Sequence, residues 1–384
     1  MKIEDKNGIK YSLNLKKLTA VVIKSPNVCQ YPFIPHFVQH GDQSFKVISI
    51  GPNAFNDMTI VSLTFDPDSE VKKFKNESFS GCYIEKLQIP ASLQIIENGA
   101  FFQTEGLSNI EVSPQNQYFS FYDSKYLIGK SKKSQKNFDL LIYARFDLTT
   151  AIIPSFIKVL KEHSINTRLE YLIFPDDTEI ERIEYGSISE NLVKLRIPKT
   201  LKKIDQFCFQ ISNNLTQIEV SPENETFSYI DDKYLLKKRK NGKFEKIAFC
   251  RRDIVDVKIP RYITKIGSNA FSKCEKIESI QFESNSMLQL IGTDAFSWTT
   301  GPKTIIFPEK VNCLKSSAFC RMLNLSFVEF LGDEITVDFG CFHLCADIQF
   351  ISFPNVTCLS FWDLTFDNVS IYVNPNAKLY CRHK

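Results

Sequence analysis

Residues 50–55 read IGPNAF, residues 266–271 read IGSNAF and residues 291–296 read IGTDAF. A phrase that returns with its last two positions fixed marks an internal repeat, and the repeat decides the fold before any local propensity does. The closing phenylalanine recurs as Phe55, Phe79, Phe101, Phe209, Phe271, Phe296, Phe319 and Phe342. The residue before it is always small: Ala54, Ser78, Ala100, Cys208, Ala270, Ala295, Ala318 and Cys341. A small residue lets neighbouring turns of backbone approach, while the ring fills the layer between them. Stacked units that cannot bury their own apolar face build a common core in this way.

Working outward from this phrase, a second register recurs: an apolar residue, two of any kind, an apolar residue, one of any kind, and another apolar residue, often followed by Pro. Ile84, Leu87, Ile89, Pro90 is one instance and Leu192, Leu195, Ile197, Pro198 another. The first positions are Ile60, Ile84, Leu107, Leu148, Leu169, Leu192, Leu215, Ile254, Ile277, Pro302, Leu325 and Ile348, with Pro302 and the middle-slot Ala151 as weak members. The step is about 23 residues except after Leu107 and Leu215, where it widens to 41 and 39 and segments are inserted. A longer duplication overlies the short one. Residues 87–127 and 195–235 match at an offset of 108, with IEVSPQNQYFS (110–120) against IEVSPENETFS (218–228) and KYLI against KYLL.

These motifs resemble the leucine-rich repeats of the BspA type, and the resemblance covers residues from about 45 to 375. It implies a leucine-rich repeat solenoid of about 12–13 coils, β-rich, with an irregular or short-helical convex side. The organisation expected is an N-terminal hairpin cap and lead-in over residues 1–44, the solenoid over 45–375, and a tail over 376–384. Within the cap, Ile9, Tyr11 and Leu13 alternate, Lys16-Lys17 turns the chain, and Leu18 to Ile23 returns. The insertions, about 114–147 and 222–253, read as two hairpins leaving the solenoid; Asn241-Gly242 is a turn signal in the second. Residues 148–188 depart from the pattern, with Ser187-Ile188 in place of Ala-Phe, and the last coil has Leu364-Thr365.

The strand period of two fixes which side chains face outward. Twelve strands spaced about 4.8 Å apart would make a sheet roughly 55–60 Å long. Most outward positions are polar, but Ile152, Tyr171 and Ile173 form one apolar group and Ile306, Phe327 and Phe350 another. Exposed apolar groups of this kind mark partner surfaces, unless another segment covers them. The insertion tips are cationic: Lys130, Lys132, Lys133 and Lys136 in the first, and Lys237, Lys238, Arg239 and Lys240 in the second. Such tips could engage an anionic surface such as a polysaccharide or lipid headgroups, or simply keep strand edges solvated.

The composition narrows the function classes. A net charge of +3 spread over 384 residues does not suit a dedicated nucleic-acid binder. With 33 Phe and only 14 Gly, the chain is neither disordered nor collagen-like. The longest aliphatic run near the N-terminus, Ala20 to Ile23, is too short for a signal h-region or a membrane span. Eleven cysteines, an odd number, favour free thiols. His36 and His40 lie among prolines rather than on a helix. Cys341-x-His343-x-Cys345 fits the repeat, in which cysteine is a small apolar filler, better than a four-ligand metal site. No phosphate loop, nucleophile elbow or catalytic His/Asp constellation is present, so neither enzymatic activity nor a cofactor is expected. Six Asn-x-Ser/Thr sequons begin at Asn76, Asn214, Asn224, Asn324, Asn355 and Asn368. The resemblance implies a surface antigen or adhesin, with a protein or polysaccharide ligand on host cells or matrix. A cytoplasmic interaction scaffold is the rival expectation.

Overall fold

In the computed structural model of the protein, residues 1–132, 134–165, 168–362 and 370–382 are described. The chain divides into two units, Met1–Asn191 with Lys203–Asp205, and Leu192–Lys202 with Gln206–Lys384. Each is a β-solenoid, and together they hold about 15 turns. The excess over the expected 12–13 comes from both ends: the N-terminal segment already joins both ladders, and Ser370–Val373 adds a strand beyond Phe350–Phe353. Phe33–Ile34 pairs in parallel with Thr59–Phe65, and Thr19–Ile23 with Gln43–Ile50.

The first unit begins with the expected hairpin, Lys10–Asn14 against Thr19–Ile23, flanked by Lys2–Glu4. One parallel ladder then follows the Pro-terminated register, through Thr59–Phe65, Tyr83–Ile89 and Asn109–Val112. A second ladder runs from Gln43–Ile50 through the two-residue strands Lys73–Phe74 and Ile95–Ile96. In the second unit the same two ladders recur, the second one continuous from Phe244–Cys250 through Lys265–Ile266, Leu290–Ile291 and Cys313–Leu314 to Lys378–Arg382. Each unit has its own apolar core.

Between the ladders lies the small–Phe step, and its backbone explains the size rule. Where consecutive coils both carry the step, the N–H of the ring-bearing residue donates to the carbonyl of the small residue one coil on: Phe55 to Ser78 at 2.8 Å, Phe79 to Ala100 at 2.9 Å, Phe271 to Ala295 at 2.8 Å and Phe296 to Ala318 at 2.7 Å. A bulky side chain there would hold the coils beyond hydrogen-bond reach. The rings stack accordingly, Phe55 on Phe79 at 5.5 Å and Phe79 on Phe101 at 5.7 Å. The convex side is irregular, with no helix among the described residues. Residues two before and two after the ring take left-handed backbone, as at Asn53, Asp57, Asn269, Lys273, Asp294 and Trp298. A left-handed residue interrupts a right-handed helix every few positions, so turns form instead. The coil without Ala-Phe substitutes Ser164-Ile165, and the next uses Ser187-Ile188; all four residues are buried. Leu364 and Thr365 lie outside the described residues.

The insertions form hairpins, but these do not leave the solenoid. Phe119–Tyr122, Tyr126–Gly129 and Leu140–Ala144 make an antiparallel meander whose last strand pairs in parallel with Val159–Leu160. In the second unit Phe227–Ile230, Tyr234–Lys238 and Phe244–Cys250 do the same, ending against Lys265–Ile266. The tight turns fall at Asp123-Ser124 and Asp231-Asp232, all four with positive φ, which suits the primed turns of hairpins. Asn241-Gly242 makes the further turn: Gly242 N–H donates to the Arg239 carbonyl at 2.9 Å. The return strands also supply rings to the stack, Tyr143 5.4 Å from Phe101 and Phe249 4.4 Å from Phe209.

The Pro-terminated ladder is not the single twelve-strand sheet that counting suggested. It stops after Asn109–Val112 and, in the second unit, after Gln217–Val220, where each insertion begins, and it is interrupted again between Ser279–Phe282 and Thr304–Phe307. Tyr234 closes the gap: its hydroxyl donates to the Lys258 carbonyl at 3.2 Å and accepts from the Lys258 N–H at 3.1 Å. That satisfies backbone groups that the missing strand would have paired. The two arginines of the second return strand separate. Arg251 forks onto Asp253, with Nε–Oδ1 at 2.6 Å and Nη2–Oδ2 at 2.8 Å. Arg252 is buried; its guanidinium donates to the carbonyls of Ser212, Ala270 and Phe209 at 3.1, 3.2 and 2.8 Å and lies 4.3 Å from the Phe249 ring.

Candidate functional site

The Pro-terminated ladder presents one face to solvent, and most of the residues read as outward stand there. Along its polar stretches the face is charge-paired across neighbouring strands, Lys86 with Glu111 and Lys194 with Glu219, each at 2.6 Å. These two pairs are 108 residues apart, so the duplication reproduces the surface as well as the core. Exposed pairs contribute little stability; they keep the face solvated.

The two apolar groups break that pattern. In the first unit Thr150 pairs with Tyr171 and Ile152 with Ile173, so the two isoleucines are direct cross-strand neighbours. Ile152 is 57% exposed, Tyr171 52% and Ile173 44%. In the second unit Phe327 pairs with Phe350, and their rings stack 5.8 Å apart within 8° of parallel on the outer face. Phe350 is 37% exposed and Phe327 half-buried. Ile306 does not join that stack. Its cross-strand partner is Glu329, and its half-exposed side chain lines a groove of about 730 Å³ with Ile280, Phe282, Met287 and Pro308. Ser352, also read as outward, is buried between its cross-strand neighbours Glu329 and Tyr372. Tyr372, exposed on the last strand of this ladder, extends the outer surface; the register reading stopped one strand short of it.

The cationic residues of the insertions are dispersed rather than gathered at tips. Lys130 leans over the Phe138 ring at 5.4 Å, Lys237 over Phe227 at 5.7 Å and Lys238 over Phe244 at 5.2 Å. Lys132, Lys136, Arg239 and Lys240 are exposed, while Lys133 lies outside the described residues. Arg239 donates to the Thr264 hydroxyl of the next coil. The side-chain register of these strands could be found only from their pairing.

The residues weighed for metal chemistry fall into different environments. Cys341 and Cys345 are buried, the latter donating to the Phe319 carbonyl at 3.1 Å, whereas His343 is exposed. Burial pushes the Cys345 thiol up to about 12 and the Cys341 thiol well above its ordinary value. Such thiols stay protonated and act as apolar filler. His36 and Lys46 both face the Glu70 carboxylate, at 3.6 and 2.6 Å, and hold it below its usual value. Among the described residues no group of three metal-ligating side chains converges, and no helix is long and apolar enough to cross a membrane.

Comparison with known proteins agrees with this architecture. The family model for BspA type leucine rich repeat regions, in six copies, matches residues 42–127, 142–237 and 242–372. A leucine rich cell surface protein from Faecalibacterium prausnitzii is similar in structure, with a TM-score of 0.53 at 18% identity over 91% of this chain and 94% of that one. A leucine-rich repeat protein from Eubacterium ventriosum matches with a TM-score of 0.42 at 17% identity, over 83% of this chain and 94% of that one. The pneumococcal vaccine antigen PcpA matches with a TM-score of 0.40 at 16% identity, over 100% and 98%. No curated protein sequence matches. With its repeats matched in phase over most of its length, the chain belongs to the BspA-type leucine-rich repeat family.

Proposed function

We propose that the protein is a non-enzymatic, protein-binding surface antigen that mediates adhesion to host cells or extracellular matrix through the outer face of its Pro-terminated ladder. The observation that carries this reading is the Phe327–Phe350 stack on that face. Two aromatic rings left partly in water on a sheet cost solvation that a partner would relieve, and aromatic anchors dominate protein interfaces. Ile152, Tyr171 and Ile173 offer a second such surface on the first unit. The family match and the description of the Faecalibacterium prausnitzii relative as a cell surface protein support the location.

A cytoplasmic scaffold using the same face is the second reading. It is favoured by the free, buried thiols of Cys82, Cys250, Cys274, Cys341 and Cys345, which suit a reducing compartment. Two measurements decide. Biotinylation of intact cells should label the protein; labelling only after lysis would overturn the surface reading. Replacing both Phe327 and Phe350 by Ser should abolish capture on immobilised host matrix proteins with little change in melting temperature. Undiminished capture would retire the interface.

A further inference from the structure

Cys82, Cys274 and Cys345 hold one place in the repeat, three residues after the stacked ring. Each donates its backbone N–H to the carbonyl of that ring's residue, at 3.1 Å to Phe79, 3.1 Å to Phe271 and 3.3 Å to Phe342, and each is buried. Burial pushes the Cys82 and Cys345 thiols up to about 12, the condition of an inert filler.

Cys274 has different company. Arg252 Nη1 lies 3.7 Å from its sulfur, and the Cys250 thiol shares a hydrogen bond with it. Burial opposes a charge on Cys274, but the Cys250 hydrogen bond and the charge and hydrogen bond of Arg252 outweigh it and hold this thiol below its ordinary value. Cys250 goes the other way, raised well above its ordinary value by burial first and then by the same bond. The pair is thus split into a sulfur that ionises and a protonated thiol beside it.

Arg252 supplies the reason. Its N–H groups go to the carbonyls of Ser212, Ala270, Phe209 and Asn269 and to the Cys274 sulfur. Among the described residues no carboxylate pairs with it, and the adjacent Asp253 is forked by Arg251. A buried cation without a counter-charge is costly, and Cys274 is the member of this ring of partners that can ionise. In the duplicated meander Arg145 forks onto Asp147 as Arg251 does onto Asp253, and Ala144 and Phe146 stand where Cys250 and Arg252 do. A cleft of about 600 Å³ reaches the group from solvent, lined by Arg252 and by Lys273 and Glu275, the chain neighbours of Cys274.

We propose that Cys274 and Cys250 form a reversible oxidation site for hydrogen peroxide or another small hydroperoxide, with Cys274 as the attacking thiolate, Arg252 as its counter-charge and Cys250 as the resolving thiol. The Cys274 sulfur attacks a peroxide oxygen: an S–O bond forms, the O–O bond breaks, and the leaving hydroxide takes up the proton the thiol released and departs as water. The Cys250 sulfur then attacks the sulfenic sulfur, the S–O bond breaks, and a second water leaves with the Cys250 proton. Two thiols are oxidised to one disulfide and one peroxide is reduced to two waters. The bond ties the return strand of the second insertion to the following coil, and the site is independent of the apolar adhesive face.

The test exposes the whole, fully reduced chain to hydrogen peroxide at neutral pH, then denatures it in alkylating reagent and maps the cysteines by mass spectrometry. The parent should lose the Cys250 and Cys274 thiols together, yield a Cys250–Cys274 linked peptide pair, and recover both thiols on treatment with dithiothreitol, while Cys82 and Cys345 stay reduced. Cys250→Ala, which introduces the side chain of Ala144 in the first unit, should stop at a sulfenic acid on Cys274 that dimedone traps. Arg252→Gln should slow oxidation of Cys274 by about tenfold or more, since the thiolate loses its counter-charge. If that variant does not fold, Cys250→Ala and the comparison of Cys274 with Cys82 and Cys345 in the parent decide. Oxidation of Cys274 no faster than that of Cys82 and Cys345, an unchanged rate in folded Arg252→Gln, linkage of Cys274 to any cysteine other than Cys250, or no trapped sulfenic acid in Cys250→Ala would each overturn the assignment.

Discussion

The Phe271 and Phe296 rings lie 4.6 Å apart with their planes 5° from parallel, both wholly buried. Phe296 also stacks on Phe319 at 5.2 Å, so its ring is held on both faces. Removing it leaves a cavity between three coils that backbone hydrogen bonds prevent from collapsing. Phe296→Ala should therefore lose about 3–5 kcal/mol, read from urea unfolding. Phe350→Ala, which gives up an exposed ring and one stacked partner, should lose no more than about 1.5 kcal/mol. Equal losses would mean that the ladder of rings is not what holds the coils.

Tyr234 is the prediction that follows from the interrupted ladder. Its hydroxyl stands in for a strand at Lys258, so Tyr234→Phe keeps the ring packing and removes only the bridge. The N–H of Lys258 then loses its partner at a part-buried edge, at a cost of about 0.5–1.5 kcal/mol. Hydrogen exchange should show Lys258 deprotected in the variant while Ile247 and Ile266 in the other ladder stay slow.

Acid sensitivity has an identifiable contributor in His163. Burial pushes its imidazole down to about 4, with Phe102 4.1 Å and Tyr185 5.0 Å from its ring. Glu162 lies 3.9 Å away but does not restore the charge, because burial also pushes that carboxyl toward its protonated form. The unfolded chain has an ordinary histidine near 6.5, so between about 6.5 and 4 the unfolded state binds the proton and the folded state does not. Stability contributed here is present above pH 6.5 and is lost as pH falls through that window. The parent should lose more stability between pH 7 and pH 5 than His163→Asn, whose side chain does not titrate and tolerates the left-handed backbone at this position. Parallel losses in the two proteins would assign the sensitivity to other groups.

Where the repeat stays in phase, the sequence states the structure almost directly. A small residue followed by Phe every 23 positions can mean only closely stacked coils with rings between them, and the alternation around Leu87 or Leu195 leaves one choice of inner face. Where an insertion breaks the phase, the same reasoning fails. Tyr143 and Phe249 carry the ring stack through the insertions, yet neither follows a regular spacing from Phe101 or Phe209. Arg252 sits in a basic run that reads as solvated, and only the fold surrounds it with carbonyls. Cross-strand neighbours are invisible for a related reason. Lys237, Lys246 and Lys265 become neighbours through strand register, and an unpaired sequence does not contain that register. Asp123-Ser124 and Asp231-Asp232 make the tight turns with positive φ, but neither pair carries the Asn-Gly signature that marks such a turn in a sequence.

The sequons separate by burial, and one of them is a structural device. Asn224 is buried with all of its amide engaged: Nδ2 donates to the carbonyls of Pro198 and Leu201 at 2.6 and 3.0 Å, and Oδ1 accepts from the N–H groups of Thr226 and Phe227 at 2.8 and 2.7 Å. Asn116, its counterpart 108 residues earlier, makes the same four bonds, to Pro90, Leu93, Tyr118 and Phe119, yet is followed by Gln-Tyr and forms no sequon. The asparagine is thus kept in both copies by its role in fixing the start of the insertion, and the Thr at 226 completes an acceptor sequence incidentally. Asn76, Asn214, Asn324 and Asn355 stand exposed, while Asn368 lies outside the described residues. Expressed through a eukaryotic secretory pathway, the folded protein should carry glycan at some of those four exposed sites and none at Asn224, as glycopeptide mapping would show. Asn224→Ala should lose about 2–4 kcal/mol through four broken bonds and stranded backbone groups, whereas Asn76→Ala should stay within about 0.5 kcal/mol of the parent. Glycan at Asn224 on protein that still melts cooperatively would be incompatible with the four-bond geometry, and would place the beginning of the second insertion in solvent.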